Sequence, residues 1–248
     1  MSRLRTAALV GNPNAGKSAL FNALTGARQK IANYPGVTVE RKAGRMFLPS
    51  GEPVELIDLP GSYSLDPASP DEEVTRQVVQ GDFPGEPAPD VLIVVVDAAN
   101  LEQHLVFAQE LIALGRPTVV ALNMVDMAER DGLVLDADAL SAALGVPVIS
   151  TVAVRKRGIE ALVEAMGDAE NQDLSTRHEV AGQTLPERRL AASLANGVRR
   201  GAGEGRRVAV AYHRRDHDGS DGSHCRRTGT GHGREEHAGQ DGDAGEAA

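Results

Sequence analysis

The 248-residue chain is poor in several features that mark particular classes of protein. Its single cysteine can form no internal disulfide, which predicts a reducing compartment. Its longest apolar run, Val91 to Val96, is far too short to cross a membrane, and its first residues lack a signal-peptide core. The formal net charge of −9 argues against a general nucleic-acid binder, whose binding face is usually basic. We therefore predict a soluble, cytoplasmic chain that has no membrane span and binds no nucleic acid.

The apolar residues that are present follow strand-like and helix-like patterns in turn. Aromatic residues make up only 3% of the chain, so the core is predicted to consist mainly of Val, Leu, Ile and Ala. Runs of these residues predict strands at 6–10, 38–47, 53–58, 91–97, 117–123 and 146–151. Helical spacing predicts helices that begin near Leu101, Asp136 and Gly158. The alternation predicts an α/β fold with a mostly parallel six-stranded sheet and helices on both faces.

The composition changes near residue 168, so we predict that residues 1–168 form the folded domain. Residues 169–204 are polar apart from one short helical pattern, which predicts a linker with a helical remnant. Residues 205–248 are rich in Gly, His, Asp and Arg, and from His213 onward contain no large apolar residue. Such a segment buries too little apolar surface to offset its ordering entropy, so it is predicted to be a disordered tail. The spacing of its histidines matches no closed set of metal ligands.

The most informative stretch, Gly11 to Ser18, matches the phosphate-loop pattern G-x-x-x-x-G-K-[ST] at every fixed position. It lies between an apolar run at 7–10 and a helical pattern at 19–24, which is the context that the motif requires. The N–H groups of such a loop and the positive end of the following helix bind polyphosphate. The predicted phosphate-binding residues are Gly11, Asn12, Pro13, Asn14, Ala15, Gly16, Lys17 and Ser18. Lys17 is expected to reach the β- and γ-phosphates, and the Ser18 hydroxyl to bind Mg²⁺.

Motifs after two later strands indicate that the nucleotide is GTP. Asp58 ends the third predicted strand, where its carboxylate can hold Mg²⁺ through water, and the N–H of Gly61 can reach the γ-phosphate. Asn123 and Asp126 form an Asn-x-x-Asp motif after the fifth strand. The Asp126 carboxylate can accept the ring N–H and the exocyclic amino group of guanine, a donor pair that adenine lacks. These residues predict a site for GTP or GDP with Mg²⁺.

Further positions are interpreted from the loops in which they lie. The backbone N–H of Ala153 is expected to contact guanine, although Val152 stands where many GTPases have serine. Thr38 is the only well-placed threonine between the phosphate loop and Asp58, and we expect it to close over Mg²⁺ and the γ-phosphate as part of switch I, residues 34–40. Ser62 stands where Ras-type GTPases place a water-orienting glutamine, and its side chain is too short for that role.

Five stretches of the chain together resemble the cytosolic G domain of the ferrous iron transport protein B family (FeoB). They are 11–18, 33–42, 58–65, 96–102 and 122–126. The resemblance covers about residues 5–167 and implies a Ras-like P-loop GTPase fold. It also implies that residues 185–192 correspond to the beginning of the helical domain that follows in this family, and that the chain is truncated before the membrane region that carries Fe²⁺.

The same resemblance implies a regulatory domain that hydrolyses GTP slowly to GDP and phosphate in a ferrous iron uptake system. Its implied partner is the membrane permease of that system, at the cytoplasmic face of the plasma membrane. A K⁺ ion held by Asn14 and switch I carbonyls is implied in place of an arginine finger, and the implied catalytic residues are Asn14, Lys17, Thr38 and Gly61. Two alternatives stay open: a stand-alone GTPase of ribosome assembly or tRNA modification, and a non-functional fragment of the transporter.

Overall fold

The Val- and Leu-rich segments of the sequence form the centre of one mixed sheet. The structure, a computed structural model, describes residues 5–171. Its strands are β1 (Arg5–Gly11), β2 (Gln29–Asn33), β3 (Glu40–Phe47), β4 (Pro53–Asp58), β5 (Val91–Asp97), β6 (Thr118–Asn123) and β7 (Val148–Ser150). They are ordered β2-β3-β4-β1-β5-β6-β7. Strand β3 pairs antiparallel with β2 and β4, and all other neighbours are parallel.

Helices cover both faces of this sheet, as the sequence predicts. They are α1 (Lys17–Thr25), α2 (Pro70–Gln80), α3 (Leu101–Ala113), α4 (Val125–Arg130), α5 (Ala137–Leu144) and α6 (Ile159–Asn171). Helices α1 and α6 pack on one face, and α2 to α5 pack on the other. Consecutive residues of β1, Leu9 and Val10, belong to the two different cores because side chains alternate across a strand. The central strands are therefore buried on both faces, which explains their continuous apolar sequences.

The predicted number of strands, six, is one too low, because the sheet formed by the described residues has seven. The missed strand is β2, all five of whose side chains are exposed. It lies at the edge of the sheet and has no buried face, so it lacks the apolar run or alternation by which strands are predicted. The next strand was predicted from residue 38 but begins at Glu40, which leaves Thr38 in the loop before it.

Capping residues set the ends of several helices. Asp136 accepts a hydrogen bond from the N–H of Ala139 at the start of α5, and Gly145 ends that helix at φ 70°, as the sequence predicts. Helix α2 was not predicted, although Ser69 caps it and Pro70 occupies its first turn.

Helix α6 begins directly after Gly158 and continues to Asn171. The rest of the predicted linker, from residue 172, and the predicted tail at 205–248 lie outside the described residues. Each helix within residues 5–171 is too short or too polar to span a membrane.

Candidate nucleotide-binding site

The phosphate loop lies at the carboxyl end of β1, in the middle of the sheet, and leads into α1. Its two glycines are required by close packing. A Cβ atom on Gly11 would collide with the carbonyl oxygen of Val95, and one on Gly16 with the side-chain amide of Asn123. Gly16 also has φ 88°, and Asn14 has φ 66°, a left-handed conformation that asparagine tolerates better than most residues. The loop is thus held in one shape before the helix begins.

Lys17 lies inside this loop at the first position of α1. Its ammonium group donates hydrogen bonds to the carbonyl oxygens of Gly11 at 3.1 Å and Asn12 at 3.3 Å. Burial lowers the pKa of Lys17, and the negative charge of Asp58 only partly opposes that shift. A cation that is partly removed from water and surrounded by carbonyl oxygens attracts an anionic ligand strongly, so Lys17 fits the predicted contact with phosphate.

Asp58 is the last residue of β4, and its carboxylate lies near Lys17. Its Oδ1 atom is buried and has no hydrogen-bond partner among the described residues. Burial raises the pKa of Asp58, and the charges of Lys17 and Lys42 partly oppose the rise. Carboxylate and hydroxyl oxygens are ligands that Mg²⁺ prefers, so Asp58 and the exposed Ser18 fit a magnesium ion. The Nδ2 atom of Asn12 is also buried without a partner within residues 5–171.

The segment after Asp58 packs against the phosphate loop. A Cβ atom on Gly61 would lie 3.1 Å from the Lys17 ammonium and 3.0 Å from Pro13, so glycine leaves room for both. The N–H of Ser62 donates to the carbonyl oxygen of Gly11 at 3.3 Å. The Ser62 hydroxyl is fully buried and donates to the carbonyl of Ser64 at 2.7 Å, so it is engaged within its own segment.

Thr38 is the predicted Mg²⁺ ligand of switch I. It is exposed in the loop that precedes β3. No hydrogen bond within the described residues joins its hydroxyl to Ser18 or Asp58. Its contact with Mg²⁺ stays a prediction.

Asn123 joins three parts of the site through one buried side chain. Its Nδ2 atom donates to the carbonyl oxygen of Ala15 at 3.1 Å. Its Oδ1 atom accepts from the Thr151 hydroxyl at 3.2 Å and from the N–H of Ala153 at 3.1 Å. The N–H predicted to contact guanine is thus already engaged, and the predicted role of Ala153 would require that bond to be shared. Val152, the departure from the usual serine, is 1% exposed and packs in the core.

Asp126 lies in the first turn of α4 with two arginines beside its carboxylate. Its Oδ2 atom is 3.9 Å from Arg130 and 3.7 Å from Arg155. The aspartate side chain is only 15% exposed, whereas each arginine is 67% exposed. The two oxygens of the carboxylate can accept two hydrogen bonds from a guanine edge.

Sequence reasoning missed the supporting residues rather than the motifs. Thr151 and the two arginines beside Asp126 were assigned no role, because their contacts depend on loops that meet only in the fold. A weak signal existed for Arg130, which stands one helical turn after Asp126 on the same helix.

Three motifs lie at the carboxyl ends of parallel strands: the phosphate loop at β1, an aspartate at β4 and the Asn-x-x-Asp motif at β6. Together they define a P-loop GTPase domain with a Ras-like sheet. The sequence profile of the family described as "Ferrous iron transport protein B" matches residues 5–166. The chain therefore belongs to this family, and the matched residues are its N-terminal G domain. The predicted resemblance is confirmed.

Individual relatives support this assignment. The Fe(2+) transporter FeoB of Shigella flexneri is 50% identical over 162 residues, which are 63% of this chain and 20% of that protein. The cytosolic domain of L. pneumophila FeoB is 45% identical, with a TM-score of 0.61 and coverage of 66% of this chain and 63% of the other. The GMPPNP form of the cytosolic domain of the T. maritima FeoB iron transporter is 38% identical, with a TM-score of 0.64 and coverage of 68% and 65%. The chain spans about a fifth of the length of the curated relatives that it matches.

Proposed function

We propose that this domain binds GTP and GDP with Mg²⁺, hydrolyses GTP to GDP and phosphate, and regulates a ferrous iron uptake system. The observation that carries the proposal is a group of polar side chains around the phosphate loop: the buried Asn12 and Asp58, each with an atom that lacks a partner within residues 5–171, and the partly buried cation Lys17. Buried polar groups in native proteins nearly always have partners, so these groups fit a ligand that supplies phosphate oxygens and a metal ion. The T. maritima neighbour in its GMPPNP form supports a guanine nucleotide as that ligand.

In this proposal each residue has a separate task during hydrolysis. Lys17 would bind the β- and γ-phosphates, and Ser18, Asp58 and Thr38 would hold Mg²⁺, which would supply positive charge to neutralise the phosphates. The N–H of Gly61 donates to a γ-phosphate oxygen. Since Ser62 is buried and its hydroxyl is engaged with Ser64, it cannot orient the attacking water. Hydrolysis by this chain alone is therefore expected to be slow, roughly 10⁻⁴ to 10⁻³ s⁻¹ as in Ras.

Asn14 is the proposed ligand for a K⁺ ion that would supply positive charge near the phosphates. The residue fits this role because it is exposed on the phosphate loop and its side chain has an amide oxygen. Such a charge acts where negative charge develops in the transition state.

The family match favours iron transport over ribosome assembly or tRNA modification. Within an intact system we propose that the domain acts at the cytoplasmic face of the plasma membrane on the membrane permease. That partner is inferred from relatives about five times as long as the matched region.

A binding titration of the native chain with GTP, GDP and ATP, with and without Mg²⁺, tests the proposal. Tight binding of GTP and GDP and weak binding of ATP are expected. The Asp126→Ala variant should lose about 1–3 kcal/mol of guanine nucleotide binding, because a buried guanine edge is left unpaired. Asp131→Ala, at an exposed aspartate that follows the same helix, is the matched control and should bind normally. Equal affinity of the native chain for ATP and GTP would contradict the guanine assignment.

A further inference from the structure

The loop that carries Thr38 is closed upon itself, and the two buried side chains that flank its exposed residues, Tyr34 and Val39, belong to the core of the domain. The N–H of Tyr34 donates to the carbonyl oxygen of Val39 at 2.9 Å, and the N–H of Val37 donates to that of Tyr34 at 3.3 Å. Residues 35–38 are exposed, whereas Tyr34 is 1% exposed. The position of the Thr38 loop is therefore set by the contacts that hold Tyr34 and Val39.

Phe83 holds Tyr34. The two rings meet edge to face, with centroids 5.2 Å apart and planes at 62°. Phe83 is 6% exposed and belongs to the otherwise mostly exposed segment 81–90, which we call the α2–β5 loop. The Tyr34 hydroxyl is buried and has no hydrogen-bond partner within residues 5–171. The tyrosine side chain is thus retained by apolar packing, of which the Phe83 ring is one part, against the cost of an unpaired hydroxyl.

A second attachment joins Arg41, the residue directly after switch I, to the same loop. The Arg41 guanidinium donates two hydrogen bonds to the Glu86 carboxylate, from Nε at 2.8 Å and from Nη2 at 2.7 Å. Their side chains are 19% and 8% exposed, so water competes weakly for this pair. Glu55 approaches the same guanidinium only at 3.5 Å. Bidentate, charge-assisted pairs of this kind are stronger and more directional than ordinary surface pairs.

The α2–β5 loop is also connected to the segment that contains Gly61. Helix α2 leads directly into this loop, and its Thr75 hydroxyl donates to the carbonyl oxygen of Pro60 at 2.9 Å. The end of the helix is fixed by Arg116, whose guanidinium donates to the carbonyl oxygens of Val79 and Gln80. One unit, α2 with its loop, therefore touches both segments that the proposed function assigns to sensing the γ-phosphate.

We propose that the α2–β5 loop positions switch I through Phe83 and Glu86, and that it reports the nucleotide state at the surface of the domain. This inference rests on the proposed function, because it needs a γ-phosphate that moves Thr38. When Thr38 closes, the contacts at Tyr34 and Arg41 must follow or break, and the loop to which they are attached changes with them. The coupling free energy between two sites is the same in both directions. A change that weakens these contacts should therefore also change the conformational equilibrium of switch I.

Amide hydrogen exchange of the full chain tests this coupling, followed by mass spectrometry without nucleotide, with GDP and with GMPPNP. In the native chain, exchange in residues 34–41 and in residues 82–88 should differ between GDP and GMPPNP. The Glu86→Gln variant removes the charged pair and keeps the shape of the side chain. It should exchange about tenfold faster in residues 34–41 with GDP, and the nucleotide response of residues 82–88 should be lost. Asp82→Asn, at an exposed carboxylate of the same loop, is the control and should behave like the native chain.

The Phe83→Leu variant removes the ring contact while keeping an apolar side chain, and gives an independent route to the same two readouts if Glu86→Gln does not fold. Native residues 82–88 that exchange equally with GDP and GMPPNP, in a chain that binds both, would overturn the inference and leave the proposed function intact. Unchanged exchange in residues 34–41 of Glu86→Gln would also overturn it. A native chain that binds neither nucleotide would instead contradict the proposed function.

Discussion

The two halves of the candidate site differ in how far their polar groups are paired. On the base side, which comprises Asn123, Asp126, Thr151 and Ala153, hydrogen bonds join Asn123 to Thr151 and Ala153, and Asp126 pairs with two arginines. On the phosphate side, which comprises Asn12, Lys17, Thr38 and Asp58, two buried polar atoms lack partners within the described residues and Thr38 is exposed. The polar groups of the base side are paired as in a protein core, whereas the phosphate side has groups that a ligand could pair.

This contrast separates residues that stabilise the fold from residues whose polar groups are available to bind a ligand. A buried polar group with its partner contributes to stability, and one without a partner lowers it. Substitutions on the base side should therefore cost stability as well as binding. Substitutions on the phosphate side should cost activity and leave stability equal or higher, as is common for functional groups.

The largest effect is expected for Asn123→Ala. The change leaves the carbonyl of Ala15 and the N–H of Ala153 buried without their partner, so the free energy of unfolding should fall by about 3 kcal/mol. Thr151→Val removes only one hydroxyl from the same group and should cost about 1 kcal/mol. Urea unfolding of the nucleotide-free chain measures both values. If Asn123→Ala proved no less stable than Thr151→Val, the base side would not be pre-assembled.

Thr38→Ala should show the opposite behaviour on the phosphate side. Thr38 is exposed, so the free energy of unfolding and the affinity for GDP should stay near native values. Removing one group that stabilises charge in the transition state typically slows a reaction about a hundredfold, and that loss is expected in phosphate release from GTP. Thr38→Ser keeps the hydroxyl and should retain most activity. Native turnover in Thr38→Ala would show that this threonine takes no part in hydrolysis.

The sequence was sufficient for the motif residues and for the central strands, but not for what supports them. The phosphate loop, Asp58 and the Asn-x-x-Asp motif are local patterns at the ends of apolar strands, and such patterns need no knowledge of the fold. The hydrogen bonds of Asn123 reach Ala15, 108 positions away, and Thr151, 28 positions away. The ion pair of Arg41 and Glu86 spans 45 positions. A single sequence contains no periodicity or motif from which contacts between residues so far apart in the chain can be predicted.

A smaller effect is expected when the salt is changed. If Asn14 holds K⁺, replacing Na⁺ by K⁺ at constant ionic strength should raise native turnover about tenfold, since a fixed positive charge stabilises the developing negative charge. Asn14→Ala should abolish the difference while sparing GDP affinity. Asn14→Asp keeps an oxygen ligand and should preserve the difference. Identical native turnover in the two salts would remove the cation mechanism and leave the catalytic group of the phosphate side unidentified.

The smallest expected effect is a dependence of stability on pH that arises from Asp58. Because burial raises the pKa of Asp58 above its unfolded value of about 3.9, its carboxyl contributes most to stability below that pH, and the contribution is lost as the pH rises through the folded value. In the nucleotide-free chain at pH 7, Asp58→Asn should thus be more stable than native, by about 1 kcal/mol. The difference should shrink as the pH falls towards 4.

Urea unfolding of the two proteins at a series of pH values measures this difference directly, and charges elsewhere cancel in the comparison. Asp66→Asn, at an exposed carboxylate in the segment that follows, should show no such trend and serves as the control. Saturating GTP and Mg²⁺ should reverse the order, because a ligand that binds the native site more tightly stabilises the native chain more. A native chain that is more stable than Asp58→Asn at pH 7 without nucleotide would mean that Asp58 is already satisfied, and the contrast between the two halves of the site would not hold.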